Sequence, residues 1–213
     1  MKLNFKDSIL FIGDSVTDVG RDRTNAVDLG QGYPLMIATA LKERYAELEL
    51  TFSNRGIGGD KLKDMAARWE VDCLSLNPTV VSILIGINDT WHAVGQDQFG
   101  SQEDLQQFEQ LYRTLLTTLV ENSVRQIILM EPFVLPYPID REMWRSDLDP
   151  RIQVVRKLAY EFQADLIPLD GLLNAIGIKQ DFALLAGEDG VHPTQKGHEL
   201  IAKMWLDAVE KEC

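Results

Sequence analysis

The chain has 213 residues, 45% hydrophobic and 25% charged, enough for one ordinary α/β-sized domain with a buried core. Its net charge of -12 argues against nucleic acid and anionic membrane surfaces, which demand cationic patches, and leaves neutral small molecules and sugars open. No stretch approaches the roughly 18 apolar residues of a membrane span, and the N-terminal residues lack an apolar core before a cleavage site, so the expected compartment is the cytoplasm.

The first apolar run, Ser8 to Ile12, reads as a buried strand that ends in Gly13-Asp14-Ser15. A strand ending this way sets a hydroxyl at the carboxyl edge of a sheet, where open α/β sheets place their chemistry. A polar, glycine-containing segment from Val16 to Gly32 follows; it is long for a strand-to-helix connection and reads as a functional loop. Tyr33 to Tyr45 is predicted helical. Leu48 to Asn54 alternates as a second strand and runs into Arg55-Gly56-Ile57-Gly58-Gly59-Asp60, a backbone that must turn sharply or approach something closely. A helix is expected over Lys61 to Leu74, with Trp69 and Cys73 on its apolar face.

Thr79 to Ile85 is β-branched and, apart from Thr79 and Ser82, apolar, the pattern of a strand buried on both faces of a parallel sheet. Gly86-Ile87-Asn88-Asp89-Thr90-Trp91 and a polar loop lead to a helix over Gln102 to Glu121, whose apolar residues keep the 3.6 period. Gln126 to Met130 is the fourth strand. A long loop rich in proline and aromatics, Glu131 to Asp149, precedes a helix over Pro150 to Ala164. Leu166 to Leu169 is a short fifth strand, Asp170 to Ile178 a short helix. Phe182 to Glu188 then leads to Asp189-Gly190-Val191-His192-Pro193 and a final amphipathic helix from Thr194 to Lys211. Strands alternating with helices, without repeats or linkers, give one domain, 1–213, with helices on both faces of a parallel sheet.

A catalytic serine needs a base, and a neutral imidazole is the usual one near pH 7. His192 lies three residues after Asp189, close enough for the carboxylate to hold the ring. His92 beside Trp91 and His198 on the last helix lack this frame, and His198 is expected near the surface. An oxyanion would need preformed donors, each worth about 3 kcal/mol. The Gly59 and Ser15 N–H groups and the Asn88 amide are candidates. Each piece alone also has a purely structural reading, as a helix cap or a tight turn. Cys73 reads as a small core residue and Cys213 as a chain end. No cysteine pair or His/Cys cluster suggests zinc.

Four segments resemble the sequence blocks of the SGNH, or GDSL-type, hydrolase superfamily. They are Gly13-Asp14-Ser15, Asn54 through Asp60, Gly86 through Asp89, and Asp189 through Pro193. The resemblance implies Ser15 as nucleophile, His192 as base and Asp189 as its orienting acid. It implies Ser15 N–H, Gly59 N–H and the Asn88 amide as the oxyanion hole. It also implies a flavodoxin-like three-layer α/β/α fold with a five-stranded parallel sheet in the order 2-1-3-4-5, working without metal or organic cofactor. Asp18 to Arg21, Gly30 to Tyr33, Ala67 to Glu70 and Gly86 to Trp91 are similar to an intracellular bacterial subgroup of acetylxylan and xylo-oligosaccharide esterases. The expected substrate is therefore a small acetylated carbohydrate.

Asp14, Trp91, Tyr137 and Trp144 are the candidate substrate-binding residues, the aromatics because they fall in loops at the active edge. Two alternatives stay open: a lysophospholipase or acyl thioesterase of the same superfamily, and a non-catalytic carbohydrate-binding protein on this fold. A paired-carboxylate glycosidase using Glu131, Asp140 and Glu142 is a weaker one. Self-association into a homo-oligomer is an open expectation.

Overall fold

The computed structural model describes residues 3–210. Strands β1 (Ser8–Gly13), β2 (Thr51–Gly56), β3 (Val80–Leu84), β4 (Gln126–Met130) and β5 (Asp165–Ile167) form one parallel sheet in the order β2-β1-β3-β4-β5. The expected order and three-layer architecture hold. Alternate side chains of each strand feed two cores. Ile9, Phe11, Val80 and Leu84 face helices α2 (Tyr33–Arg44), α8 (Leu169–Gln180) and α9 (Gln195–Glu210). Leu10, Ile12, Val81 and Ile83 face α3 (Leu62–Ala67), α4 (Trp69–Asp72), α6 (Gln102–Glu121) and α7 (Arg145–Glu161). Every residue of β3 is buried, as its composition requires. Among the described residues no helix is long and apolar enough to cross a membrane.

Several boundaries differ from the sequence expectation. Leu48 sits in a tight turn closed by Glu49 in the left-handed region at φ 52°, so the second strand starts at Thr51. It continues to Gly56 because that residue pairs with Gly13 of β1. The helix expected over Lys61 to Leu74 breaks at Arg68, which leaves helical geometry (φ -112°, ψ 8°). Its guanidinium explains the break: it donates to the carbonyls of Gly13 and Arg55 and to Asp60 and Asp72. Helix α7 begins at Arg145 and carries Pro150 within it rather than starting there. Two short helices, α1 (Ser15–Asp18) and α5 (Ile87–Trp91), stand where loops are predicted. Both matter for the site.

Trp69 and Cys73 are core residues, as expected. Burial pushes the Cys73 thiol up to about 12, which removes it as a nucleophile near neutral pH. His198 is only 4% exposed, contrary to its expected surface position. Its Nδ1 accepts from the Tyr33 N–H at 3.3 Å, and burial, with a smaller push from His192, lowers it to about 4, so it stays neutral. Cys213 lies outside the described residues.

Candidate active site

β1 and β3 are adjacent, and their carboxyl ends almost touch. A Cβ at Gly13 would stand 2.1 Å from the Leu84 carbonyl, so only glycine fits there. The chain then turns at once into α1. The Asp14 side chain caps that helix by accepting from the Val16 N–H at 3.0 Å. Ser15 is the first helical residue, so its N–H has no partner inside the helix.

His192 reaches Ser15 from a turn before α9. Its Nε2 stands 2.8 Å from Ser15 Oγ, and its Nδ1 stands 2.6 Å from Asp189 Oδ2. The other Asp189 oxygen accepts from the Val191 and His192 N–H groups, both at 2.9 Å. Burial works against the Asp189 carboxylate, but these hydrogen bonds outweigh it and hold its pKa below the ordinary value. The turn needs Gly190 at φ +72°, where a Cβ would meet the Tyr137 carbonyl at 2.2 Å. The turn is fixed from behind by Gly187 N–H to His192 O at 2.7 Å and Leu135 N–H to Gly190 O at 2.9 Å.

The glycine-rich turn after β2 supplies a donor. The Gly58 N–H is used by Asp18 Oδ2 at 3.0 Å. The Gly59 N–H has no acceptor among the described residues, and Gly59 takes φ +86°, which favours glycine. Asn88, in the first turn of α5, donates one Nδ2 hydrogen to the Asp60 carbonyl at 3.0 Å, and the other has no acceptor among the described residues. Ser15 N–H, Gly59 N–H and the second Asn88 hydrogen are thus donors at these strand ends that no described residue engages. Asn54, fully buried, braces them: it donates to the Thr17 and Leu29 carbonyls and accepts from the Gly56 N–H.

The aromatic candidates separate. The Trp91 ring is partly exposed and lies 5.9 Å from the His192 ring. Tyr137 is exposed. Trp144 is 4% exposed beneath Trp91, its ring 5.2 Å away, so it packs the loop and offers no face for stacking. Asp14 is also withdrawn as a substrate contact: it is 1% exposed, and its pKa rises to about 7 through burial, reinforced by Asp89 and Asp60. Glu131 is fully buried and accepts from Arg156 Nε at 2.6 Å, which removes it from the glycosidase alternative, whereas Asp140 and Glu142 are exposed.

One residue escaped sequence reasoning. Arg141 donates from Nε to the Asp189 carbonyl at 2.8 Å, and its guanidinium lies 4.4 Å over the Trp144 ring and 5.8 Å from that of Trp91. It clamps the Trp91–Trp144 pair against the turn that carries His192. Its only sequence signal was an arginine between Asp140 and Trp144.

Residues 11–200 match the model of the GDSL-like lipase/acylhydrolase family. The chain is 32% identical to an acetylxylan esterase of Geobacillus stearothermophilus, over 97% of this chain and 95% of that protein. The solved structure of that enzyme superposes with a TM-score of 0.87 at 33% identity, covering 100% of this chain and 98% of the other. Variants of it described as catalytic mutants, with a serine, a histidine or an aspartate changed to alanine, superpose equally well. A protein described as a GDSL-like lipase from Parabacteroides merdae gives a TM-score of 0.88 at 38% identity, covering 98% of this chain and 99% of that one.

Proposed function

The chain belongs to the GDSL-like lipase/acylhydrolase family and is a carboxylic ester hydrolase; from that premise we propose that it removes acetyl groups from the hydroxyls of a small carbohydrate, with acetylated xylo-oligosaccharides first among them. The observation that carries this reading is the line Ser15 Oγ–His192 Nε2–Nδ1–Asp189 Oδ2, with separations of 2.8 and 2.6 Å.

Ser15 Oγ attacks the acetyl carbonyl carbon while His192 Nε2 takes its proton. The carbonyl electron pair moves onto oxygen. That oxyanion is received by Ser15 N–H, Gly59 N–H and Asn88 Nδ2. Asp189 stabilises the imidazolium without itself taking the proton. When the tetrahedral centre collapses, the bond to the sugar oxygen breaks and His192 returns the proton to that oxygen. A water then repeats the sequence on the acetyl-enzyme, releasing acetate and restoring Ser15. Trp91 and Tyr137 are the aromatic surfaces proposed to meet the sugar.

A longer acyl chain is the competing reading, favoured by Ile139 and Met143, both more than two-thirds exposed on the loop that carries Arg141. Rates on a panel of acetylated xylo-oligosaccharides against octanoyl esters decide between them. Our reading expects kcat/KM to be highest on the acetylated sugars; a preference for octanoyl esters contradicts it.

A further inference from the structure

The loop after α1 brings a second polar group to the serine. Arg23 pairs through Nη2 with Asp18 Oδ2, the same oxygen that holds the Gly58 N–H. Asp18 is itself flanked by Arg21, whose Nε stands 3.5 Å from Asp18 Oδ1 and whose Nη2 donates to the Gly56 carbonyl at 2.8 Å. Asp18 is 8% exposed and the Arg21 side chain 5%, whereas the Arg23 side chain is 51% exposed. The buried pair thus forms a base on which one guanidinium is presented to solvent.

That guanidinium is close to the reacting atoms. A Cβ placed on Gly58 would lie 3.7 Å from Arg23 Nη2 and also 3.7 Å from Ser15 Cβ. Arg23 Nη2 and Ser15 Cβ are therefore at most twice that distance apart, near enough for one bound sugar residue to reach both. Gly58 leaves the space between them unfilled. Among the described residues, Arg23 makes no hydrogen bond beyond the one to Asp18, so Nε and Nη1 keep free donors.

We propose that Arg23 is a specificity-determining residue: its free N–H groups grip a hydroxyl on the sugar carbon next to the one carrying the acetyl ester. The inference rests on Ser15 as nucleophile and on a sugar-like substrate. It adds that the enzyme reads the neighbouring hydroxyl directly, so that a vicinal diol monoacetate is a better substrate than a plain alkyl acetate. A hydroxyl bound to a charged donor forms a charge-assisted hydrogen bond, while an alkyl acetate leaves that donor in water.

The test uses a minimal pair, trans-1,2-cyclohexanediol monoacetate and cyclohexyl acetate, which differ in that hydroxyl alone. The wild-type enzyme is expected to prefer the diol monoacetate by about tenfold in kcat/KM, mostly through KM, the order of one such bond. In R23A the ratio between the two substrates should fall to near one. Equal wild-type rates on the pair, or a ratio that R23A leaves intact, overturn the inference; in the latter case Arg23 only braces Asp18. Failure of the wild type on both esters, and on acetylated sugars, would instead bring down the functional reading itself.

Discussion

His192 is held at both ring nitrogens, and this ties its proton to one job. With Nδ1 on Asp189 and Nε2 on Ser15, the neutral ring must carry its hydrogen on Nδ1 and offer a lone pair to the hydroxyl. Asp14, one residue from the serine, behaves in the opposite way to Asp189. Burial, reinforced by Asp89 and Asp60 and only partly offset by the Val16 N–H, raises it from 3.8 to about 7. Between about pH 4 and 7 the native state therefore holds a proton that the unfolded chain has already lost. Native stability falls as pH rises through that window and levels off above it. Asp89, also raised to about 7 by burial, adds to the same slope. D14N keeps an oxygen to cap α1 but cannot ionise. Urea titrations at several pH values should show its stability falling less steeply between pH 4 and 7 than that of the wild type. An unchanged slope would count against a protonated Asp14.

At the scale of elements, α5 matters most, because it carries Asn88. It is pinned to α7 by one buried carboxylate. Asp147 accepts from Thr90 Oγ1 at 2.6 Å, from Gly100 N–H at 2.8 Å and from Arg151 Nε at 3.0 Å. D147A frees α5 and removes one of the two carboxylate partners of Arg151, whose side chain is 1% exposed. We expect a loss of about 3 kcal/mol in chemical denaturation, the cost of breaking a buried ion pair, with kcat falling more than KM. A variant as stable as the wild type would show that the pin is idle. These short helices also mark where sequence reading stopped. α1 and α5 span four and five residues, too few for a 3.6-residue period to show. The strands were legible because runs such as Val80 to Leu84 are apolar but for the single small Ser82. Arg68 and Arg141 were not, because what they do depends on partners that are remote in the chain or on ring packing, and a one-dimensional pattern carries neither.

Across the whole molecule, the parallel sheet gathers the site. β1 leads toward β2 on one side, while β3 leads toward β4 on the other, so a crevice opens at the carboxyl ends of the central pair. Ser15 follows β1, Gly59 follows β2 and Asn88 follows β3; the turn before α9 delivers His192 across the edge. Alternation of strands and helices made the layered fold readable, but the strand order came from resemblance to a family, since periodicity is silent on which strands are neighbours. Trp91 meets the site from the end of α5, and Arg23 lies beside the site on a loop whose path no local pattern specifies. All of this converges on one hydroxyl, that of Ser15. Acetate release from acetylated xylo-oligosaccharides by S15A, with its fold checked by circular dichroism, tests this most directly. A folded S15A should lose at least about a thousandfold in kcat; wild-type turnover by a folded S15A would show that Ser15 is not the nucleophile.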